Sequence, residues 1–217
     1  SVGSEGYTGG EVISVLTVPV ASGSVLTPSG TTPAAVGWID VEKYIPDGED
    51  KEYPQYLLSF PVRPDSTYIM PPLADGRYRI RANPDPNDTD LVGSDWRDIT
   101  VSGGVVADPP QGPGDLTLNP TQIKGSVTYP DGTDPVPGDQ FNIQIRPADP
   151  SVDMHEYIWH SIDGAYKAGG LPDGAYRVTA ESHDPAYTRS FEASFAIFEG
   201  AVTDSSTIDL ALTDPQL

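Results

Sequence analysis

The sequence predicts an all-β protein that writes one structural unit twice. Three observations carry this. The apolar residues fall in short alternating runs rich in Val, Ile, Tyr and Phe, the period of strands and not of helices. The 22 glycines and 23 prolines make up about a fifth of the chain, so turns must be frequent. The phrase LADGRYRI at residues 73–80 returns as LPDGAYRV at 171–178. A hydrophobic content of only 37% would also suit disorder, but the clustering of that content into strand-length runs argues against it.

The repeat extends outward from the phrase. ASGSVLTPSG (21–30) answers IKGSVTYPDG (123–132): each is Gly-Ser-Val followed by a turn with Pro two residues before Gly. GWIDVEKYIP (37–46) and YLLSFPVRPDSTYIMPP (56–72) answer FNIQIRP (141–147) and HEYIWHSIDGAYKAGG (155–170). After the phrase, DWRDITVSGGVV (95–106) answers FEASFAIFEGAV (191–202), and GDLTLNPTQI (114–123) answers IDLALTDPQL (208–217). So many paired segments in one order indicate a tandem duplication of about 95 residues. The expected organisation is an N-terminal extension with an extra strand at 1–20, one β-sandwich at 21–119 and a second at 120–217.

This alignment decides how the Pro-rich stretch ADPPQGPGD (107–115) is read. By composition it is a linker, but its counterpart is the short turn TDSST (203–207), so it is an enlarged loop within the first unit. The junction then falls near 119–121 and is short enough to make a semi-rigid rod. The closing LALTDPQL resembles LTLNPTQI, and ISVLTVPVASGSV (13–25) resembles LTLNPTQIKGSV with a one-residue slip. These likenesses lead us to expect a piece of a longer array, or a subunit that exchanges strands with its neighbours.

The duplicated phrase reads as folding chemistry. Alternate side chains of a strand face opposite sides. Tyr78, Ile80 and Ala82 therefore share an inner face, and Arg77, Arg79 and Arg81 an outer one. Tyr176, Val178 and Ala180 repeat the inner set, with Arg177, Thr179 and Glu181 outside. Asp-Gly supplies the tight turn before each strand. Leu73 and Leu171 anchor that turn in the core, and each tyrosine buries its ring while its hydroxyl finds a partner at the rim.

Composition excludes several classes of function. Without cysteine there is no disulfide framework, thiol nucleophile or cysteine-ligated metal. No run approaches the roughly 20 apolar residues that cross a bilayer as a helix, and we expect no membrane insertion. The net charge of −20, from 32 acidic against 12 basic residues, repels phosphate backbones and anionic lipid, so nucleic acid is not an expected partner. No Ser–His–Asp order or phosphate-cradling glycine loop is present, and we expect no enzyme activity.

Two constellations are candidates for binding. Trp38, Tyr44, Tyr53 and Tyr56 surround an acidic loop, and aromatics beside carboxylates would take a glycan; packing is the competing explanation. Asp85, Asn87, Asp88 and Asp90 crowd one loop, NPDPNDTD (83–90), with the hard oxygen ligands that calcium takes. That loop lacks the glycine and distal glutamate of an EF-hand, and Asx turns explain the same residues. PDGED (46–50) and PDGTD (130–134) read as turns. HEYIWH (155–160) is one residue too long for a zinc-protease motif, and a strand places its two histidines on opposite faces.

The run GSVTYPDG, then PVPG, FNIQI and DGAYKAGGLPDGAYRVTA, resembles the carboxypeptidase regulatory-like domain of the transthyretin-like (prealbumin-like) group. The likeness covers about 123–212; the copy at about 21–118 is looser, with Asp65-Ser66 where the other has Asp163-Gly164. It implies Greek-key sandwiches of about seven strands each, used without enzymatic activity as spacer, accessory or adhesive modules. A sister group, the collagen-adhesin B-type domains, forms Lys–Asn or Lys–Asp isopeptides assisted by a buried acid. Ala82 and Ala180 occupy the positions of that acid, and Lys124 has no obvious buried carboxylate.

The expected protein is thus a non-enzymatic extracellular or cell-surface module: a stalk, an adhesin segment or a filament subunit. Its expected partners are neighbouring repeats or copies of itself. The alternative is a carbohydrate-binding or substrate-targeting module of a secreted enzyme.

Overall fold

The structure is a computed structural model that describes residues 21–30, 37–46, 52–109, 114–151, 157–184, 186, 187, 189–203 and 205–213, without the side chains of 157–162. The expected extension at 1–20, the centre of the Pro-rich loop at 110–113, most of the PDGED turn and His155 lie outside the described residues. Among the described residues every regular element is a strand. The first half carries β1 (Ala21–Leu26), β2 (Trp38–Pro46), β3 (Glu52–Pro61), β4 (Thr67–Met70) and β5 (Gly76–Asn83). It continues with β6 (Leu91–Val92), β7 (Arg97–Ser102), β8 (Val105–Asp108) and β9 (Leu116–Thr117). The second carries β10 (Asn119–Thr128), β11 (Gln140–Pro147), β12 (Tyr157–Ile162) and β13 (Ala165–Gly169). It ends with β14 (Gly174–Ser182), β15 (Ala193–Phe198), β16 (Ala201–Val202) and β17 (Leu210–Ala211).

In the first half a three-stranded sheet, β4-β1-β9, faces a five-stranded sheet, β3-β2-β5-β7-β8. The second half pairs β13-β10-β17 and β12-β11-β14-β15-β16 in the same order. There one pair, Ile162 with Ala165, joins the two sheets into a single path. Among the described residues each half therefore has eight sheet strands beside β6, where about seven were expected. The additional ones are the short β8 and β16, folded back over tight turns at Gly103-Gly104 and Glu199-Gly200 whose residues all have positive φ. Two- and four-residue strands leave little apolar pattern to read.

Each pair of sheets encloses its own core. Val25, Tyr68, Met70 and Leu116 meet Ile39, Val41, Tyr78, Ile80 and Ile99 in the first half. Ile123, Val127, Tyr166 and Leu210 meet Phe141, Ile143, Ile145, Tyr176 and Val178 in the second. Burying side chains of this size stabilises the fold by roughly 1.5–3 kcal/mol each. The alternation expected for the duplicated phrase holds on the inner face, where Tyr78, Ile80, Ala82, Tyr176, Val178 and Ala180 are all buried. On the outer face Thr179 departs from it: paired with Gln144, it is buried as well.

The phrase closes each sandwich with the same hydrogen bonds. Tyr78 Oη donates to Ala74 O and Tyr176 Oη to Pro172 O, each at 2.8 Å, which ties the ring to the turn that precedes it. Asp173 accepts from the amides of Glu199 and Gly200 (2.8 and 2.9 Å), and Asp75 accepts from Gly104. Leu73 and Leu171 are buried beside these turns. A buried serine then locks the far end of each strand. Ser94 Oγ accepts from Ala82 N at 3.0 Å and Ser190 Oγ from Ala180 N at 2.9 Å. The two serine amides donate back to the same alanine carbonyls.

Gly-Ser-Val recurs for a reason of space. An ideal Cβ on Gly23 would lie 2.1 Å from Gly114 O, and on Gly125 1.9 Å from Ile208 O, so only glycine lets the last strand come this close. Those two carbonyls also accept the hydroxyls of Tyr68 (2.6 Å) and Tyr166 (2.5 Å). The serine amides that follow, Ser24 N and Ser126 N, donate to Asp115 and Asp209, each at 2.9 Å.

Burial raises both the Tyr68 and the Tyr166 phenols well above 10.0, the ordinary value. Their bonds are thus intact below pH 10 and are lost as rising pH reaches the raised folded values, because the unfolded chain releases those protons first. Stability should fall only above about pH 10. Tyr166→Phe, which has no proton to lose there, should flatten the alkaline limb of a melting-temperature profile.

Candidate functional site

The binding residues expected from sequence do not converge. Ile39 and Val41 point inward, which turns Trp38, Asp40, Glu42 and Tyr44 outward on β2. Trp38 and Tyr44 are six residues apart, about 20 Å at roughly 3.3 Å per strand residue. Tyr44 is taken up by packing: its hydroxyl donates to Asp98 at 2.8 Å and the Arg77 guanidinium lies 4.7 Å from its ring centre. Tyr53 and Tyr56 sit on β3, a sheet edge, 46% and 62% exposed. Tyr53 pairs with Ile45 and Tyr56 with Glu42, so the two tyrosines face opposite sides of the sheet.

The middle of that outer face is a charge network built on Trp96. Arg79 reaches Glu42 with Nε at 2.7 Å and Nη2 at 2.6 Å, and stacks 4.3 Å from the Trp96 ring centre. The Arg81 guanidinium lies 4.6 Å from the centre of the same ring, and its Nε 3.7 Å from Asp40. With Arg77 on Tyr44, three of the chain's eight arginines are consumed on this face.

The acidic loop at 83–90 has a different role. Asp85 Oδ1 accepts from Asn87 N and Nδ2 (2.8 and 2.9 Å), and Asp88 Oδ1 from Asp90 N and Leu91 N (2.8 and 2.9 Å). These are Asx turns that shape the loop. Among the described residues no group of three or more His, Cys, Asp or Glu is placed to hold a metal ion. The cation that the loop meets is the Lys167 ammonium of the second half, which donates to Asp88 O. Burial lowers the Lys167 pKa, and the carboxylates of Asp88, Asp90 and Asp85 oppose that shift.

This contact belongs to a joint between the two halves. β6 pairs antiparallel with the start of β10, Val92 with Asn119 and Leu91 with Pro120. Thr121 N donates to Asp90 O at 2.8 Å, and Asn119 Nδ2 donates to Gly93 O and Asp95 Oδ1, each at 3.0 Å. Val92 is 1% exposed and packs where a Cβ on Gly169 would lie 2.8 Å from its methyl. Only Leu118 separates β9 from β10. Lys167→Met should leave both cores folded but weaken the joint by about 1–3 kcal/mol, the usual worth of a charged hydrogen bond. Hydrogen exchange at the amides of Leu91, Val92 and Thr121 should then quicken at least fivefold while core amides keep their protection.

Beside the joint lies a cleft of about 800 Å³. Both halves line it, with Trp38, Pro84 and Pro86 from the first and Lys124, Ala165 and Lys167 from the second. Sequence reasoning missed both joint and cleft. β6 is two residues inside an acidic turn, and Lys167 lies 79 positions from its partner. Ala82 and Ala180, where the sister group has its acid, are fully buried, whereas Lys124 is exposed. His155 is outside the described residues and nothing is described of the His160 side chain.

No protein-family model matches the chain, and no curated protein is similar to it. Among solved structures it is similar to a Streptococcal ancillary pilin, at 11% identity and a TM-score of 0.31 over 90% of this chain and 62% of that one. It is also similar to the shaft pilin SpaA of Lactobacillus rhamnosus GG, at 9% identity and a TM-score of 0.29 over 90% and 97% of the two chains. A third likeness is to the Bacillus anthracis TIE protein, at 14% identity and a TM-score of 0.30 over 90% and 34%. The chain thus spans less than two thirds of the ancillary pilin and about a third of the TIE protein. None of these likenesses is close enough to carry a conclusion about what the chain does.

Proposed function

We propose that the chain is a non-enzymatic, load-bearing segment of an extracellular or cell-surface protein, made of two transthyretin-like sandwiches at about 21–119 and 120–217. It serves as a stalk or as a subunit of a filament. The observation that carries this reading is the pairing of first and last strands. β1 runs parallel to β9, Val25 beside Leu116, and β10 runs parallel to β17, Val127 beside Leu210. A pull along the chain enters each sandwich at the start of its first strand and leaves at the end of its last. With the two strands parallel, that pull loads all their hydrogen bonds together in shear, whereas a peeling force would break them one at a time.

Side chains reinforce the same two seams. Asp115 and Asp209 bridge to Ser24 and Ser126, and Tyr68 and Tyr166 bridge to the Gly114 and Ile208 carbonyls just ahead of each last strand. Lys124 N donates to Ser206 O and Ile208 N to Lys124 O, at 2.8 and 2.9 Å. The acidic, soluble surface and the one-residue passage between halves suit a spacer that holds another surface away from the cell.

Single-molecule extension from the two chain ends tests the proposal. Two discrete unfolding steps should appear, each releasing roughly 300 Å, since about 95 residues extend at most 3.3–3.6 Å each. Asp209→Ala should lower the force of one step and leave the other unchanged. A chain that extends smoothly, without steps, would show that neither seam carries load.

A further inference from the structure

We infer that the cleft beside the joint is a binding site for a short saccharide bearing one carboxylate, such as a uronic acid. This goes beyond the load-bearing reading and does not depend on it. The cleft, at about 800 Å³, lies within the range of roughly 300–1,000 Å³ that small ligands occupy. Most polar groups around it are already used. Asn83 Nδ2 donates to Asp40 at 2.7 Å, Ser126 Oγ to Asp209 at 2.9 Å, Tyr166 Oη to Ile208 O at 2.5 Å, and Lys167 to Asp88 O.

Two side-chain nitrogen donors stand apart from these. The Trp38 indole N–H and the Lys124 ammonium have no partner among the described residues, and both line the cleft. Trp38 is held in place from behind: a Cβ on the preceding Gly37 would lie 1.9 Å from Asn83 O, so the backbone there is locked against β5. A half-buried indole offers a flat apolar face for the C–H side of a sugar ring, with an edge N–H as donor. Gly125 and Ala165 also line the cleft, and neither brings a bulky side chain into it.

Lys124 sets the charge of the ligand. The chain has only four lysines, and two of them, Lys124 and Lys167, line this one cleft. Lys167 is spent on the Asp88 carbonyl, under the influence of the Asp88, Asp90 and Asp85 carboxylates, which leaves Lys124 to meet a carboxylate. At the rim, Asp85 and Asp88 each use one carboxylate oxygen for backbone amides, leaving the other to accept sugar hydroxyls. A polyanion is disfavoured, because the net charge of −20 repels it over a Debye length of about 8 Å. A ring with one carboxylate satisfies the indole and the ammonium together, and its single charge meets less of that repulsion than a polyanion would.

The test is a titration of the full chain with a disaccharide containing one glucuronic acid and with its neutral glucose counterpart, read by tryptophan fluorescence and amide NMR shifts. The native chain should bind the acidic sugar about tenfold more tightly than the neutral one, a difference of about 1.4 kcal/mol. Lys124→Gln, an exposed substitution that leaves the core untouched, should remove that preference and keep the neutral affinity. Trp38→Ala should remove binding of both sugars, with Trp38→Phe retaining part of it. The inference is overturned if the native chain binds neither sugar or binds both equally. It is equally overturned if Lys124→Gln keeps the preference, or if Trp38→Ala binds as the native chain does.

Discussion

Gly125→Ala should unfold the second half of the molecule and leave the first half's melting transition in place. The added methyl would lie 1.9 Å from Ile208 O, 2.7 Å from Ile208 C and 3.0 Å from the Tyr166 ring. Two of these neighbours are backbone of the segment that leads into β17, which cannot rotate away, so that segment must move off β10 and take β17 with it. Overpacking of this kind costs about 1–3 kcal/mol where side chains can yield. Here the yielding element is a strand, and losing it also removes the Tyr166 hydroxyl bond and the Ser126–Asp209 bridge. We expect a loss of at least about 3 kcal/mol, seen as one early transition in calorimetry followed by one at the native temperature. Gly23→Ala should do the converse, since its methyl would lie 2.1 Å from Gly114 O.

Tyr176→Ala should cost about 3–5 kcal/mol, the usual penalty for emptying a large aromatic site. The ring is 1% exposed and stacks on Phe195 at 5.4 Å with planes 18° apart, so its removal empties a packed site. Tyr176→Phe keeps the ring and loses the bond to Pro172 O. It should therefore cost only about 1–2 kcal/mol. Denaturant midpoints for the two variants separate the packing contribution from the hydrogen bond. If both cost the same, the hydroxyl carries the whole effect and the assignment of the ring to core packing fails.

Much of this architecture is legible in the sequence because it rests on period and on turns. The alternation of Tyr176, Val178 and Ala180 against Arg177 and Glu181 places the inner face directly, and Asp-Gly marks the turn ahead of it. What the repeated phrases do together is less visible. Gly125 reads as a generic strand glycine until the carbonyl of Ile208, 83 residues later, is placed against it. Ser94 and Ser190 look like loop serines, yet each locks a core strand through an alanine amide.

The binding residues were harder still. Aromatic content alone grouped Trp38 with Tyr44, Tyr53 and Tyr56, because sequence proximity does not show that one strand separates the first two by six residues. Nor does composition show that Arg77 covers Tyr44. The acidic loop drew attention as a set of oxygen ligands, and those residues do lie together. Their first oxygens serve the backbone, and the positive charge they meet comes from Lys167 across the joint.

The direction dependence of mechanical strength tests the load-bearing account most directly. The chain lacks cysteine, so Thr133→Cys and Ala211→Cys provide unique handles on the second sandwich. They lie beyond the end of β10 and within β17, so a pull between them peels that pair apart from one end. The same pair pulled from the chain ends is sheared. The account predicts that the second sandwich resists the end-to-end pull at several times the force needed to peel it. Equal forces in the two directions would contradict it.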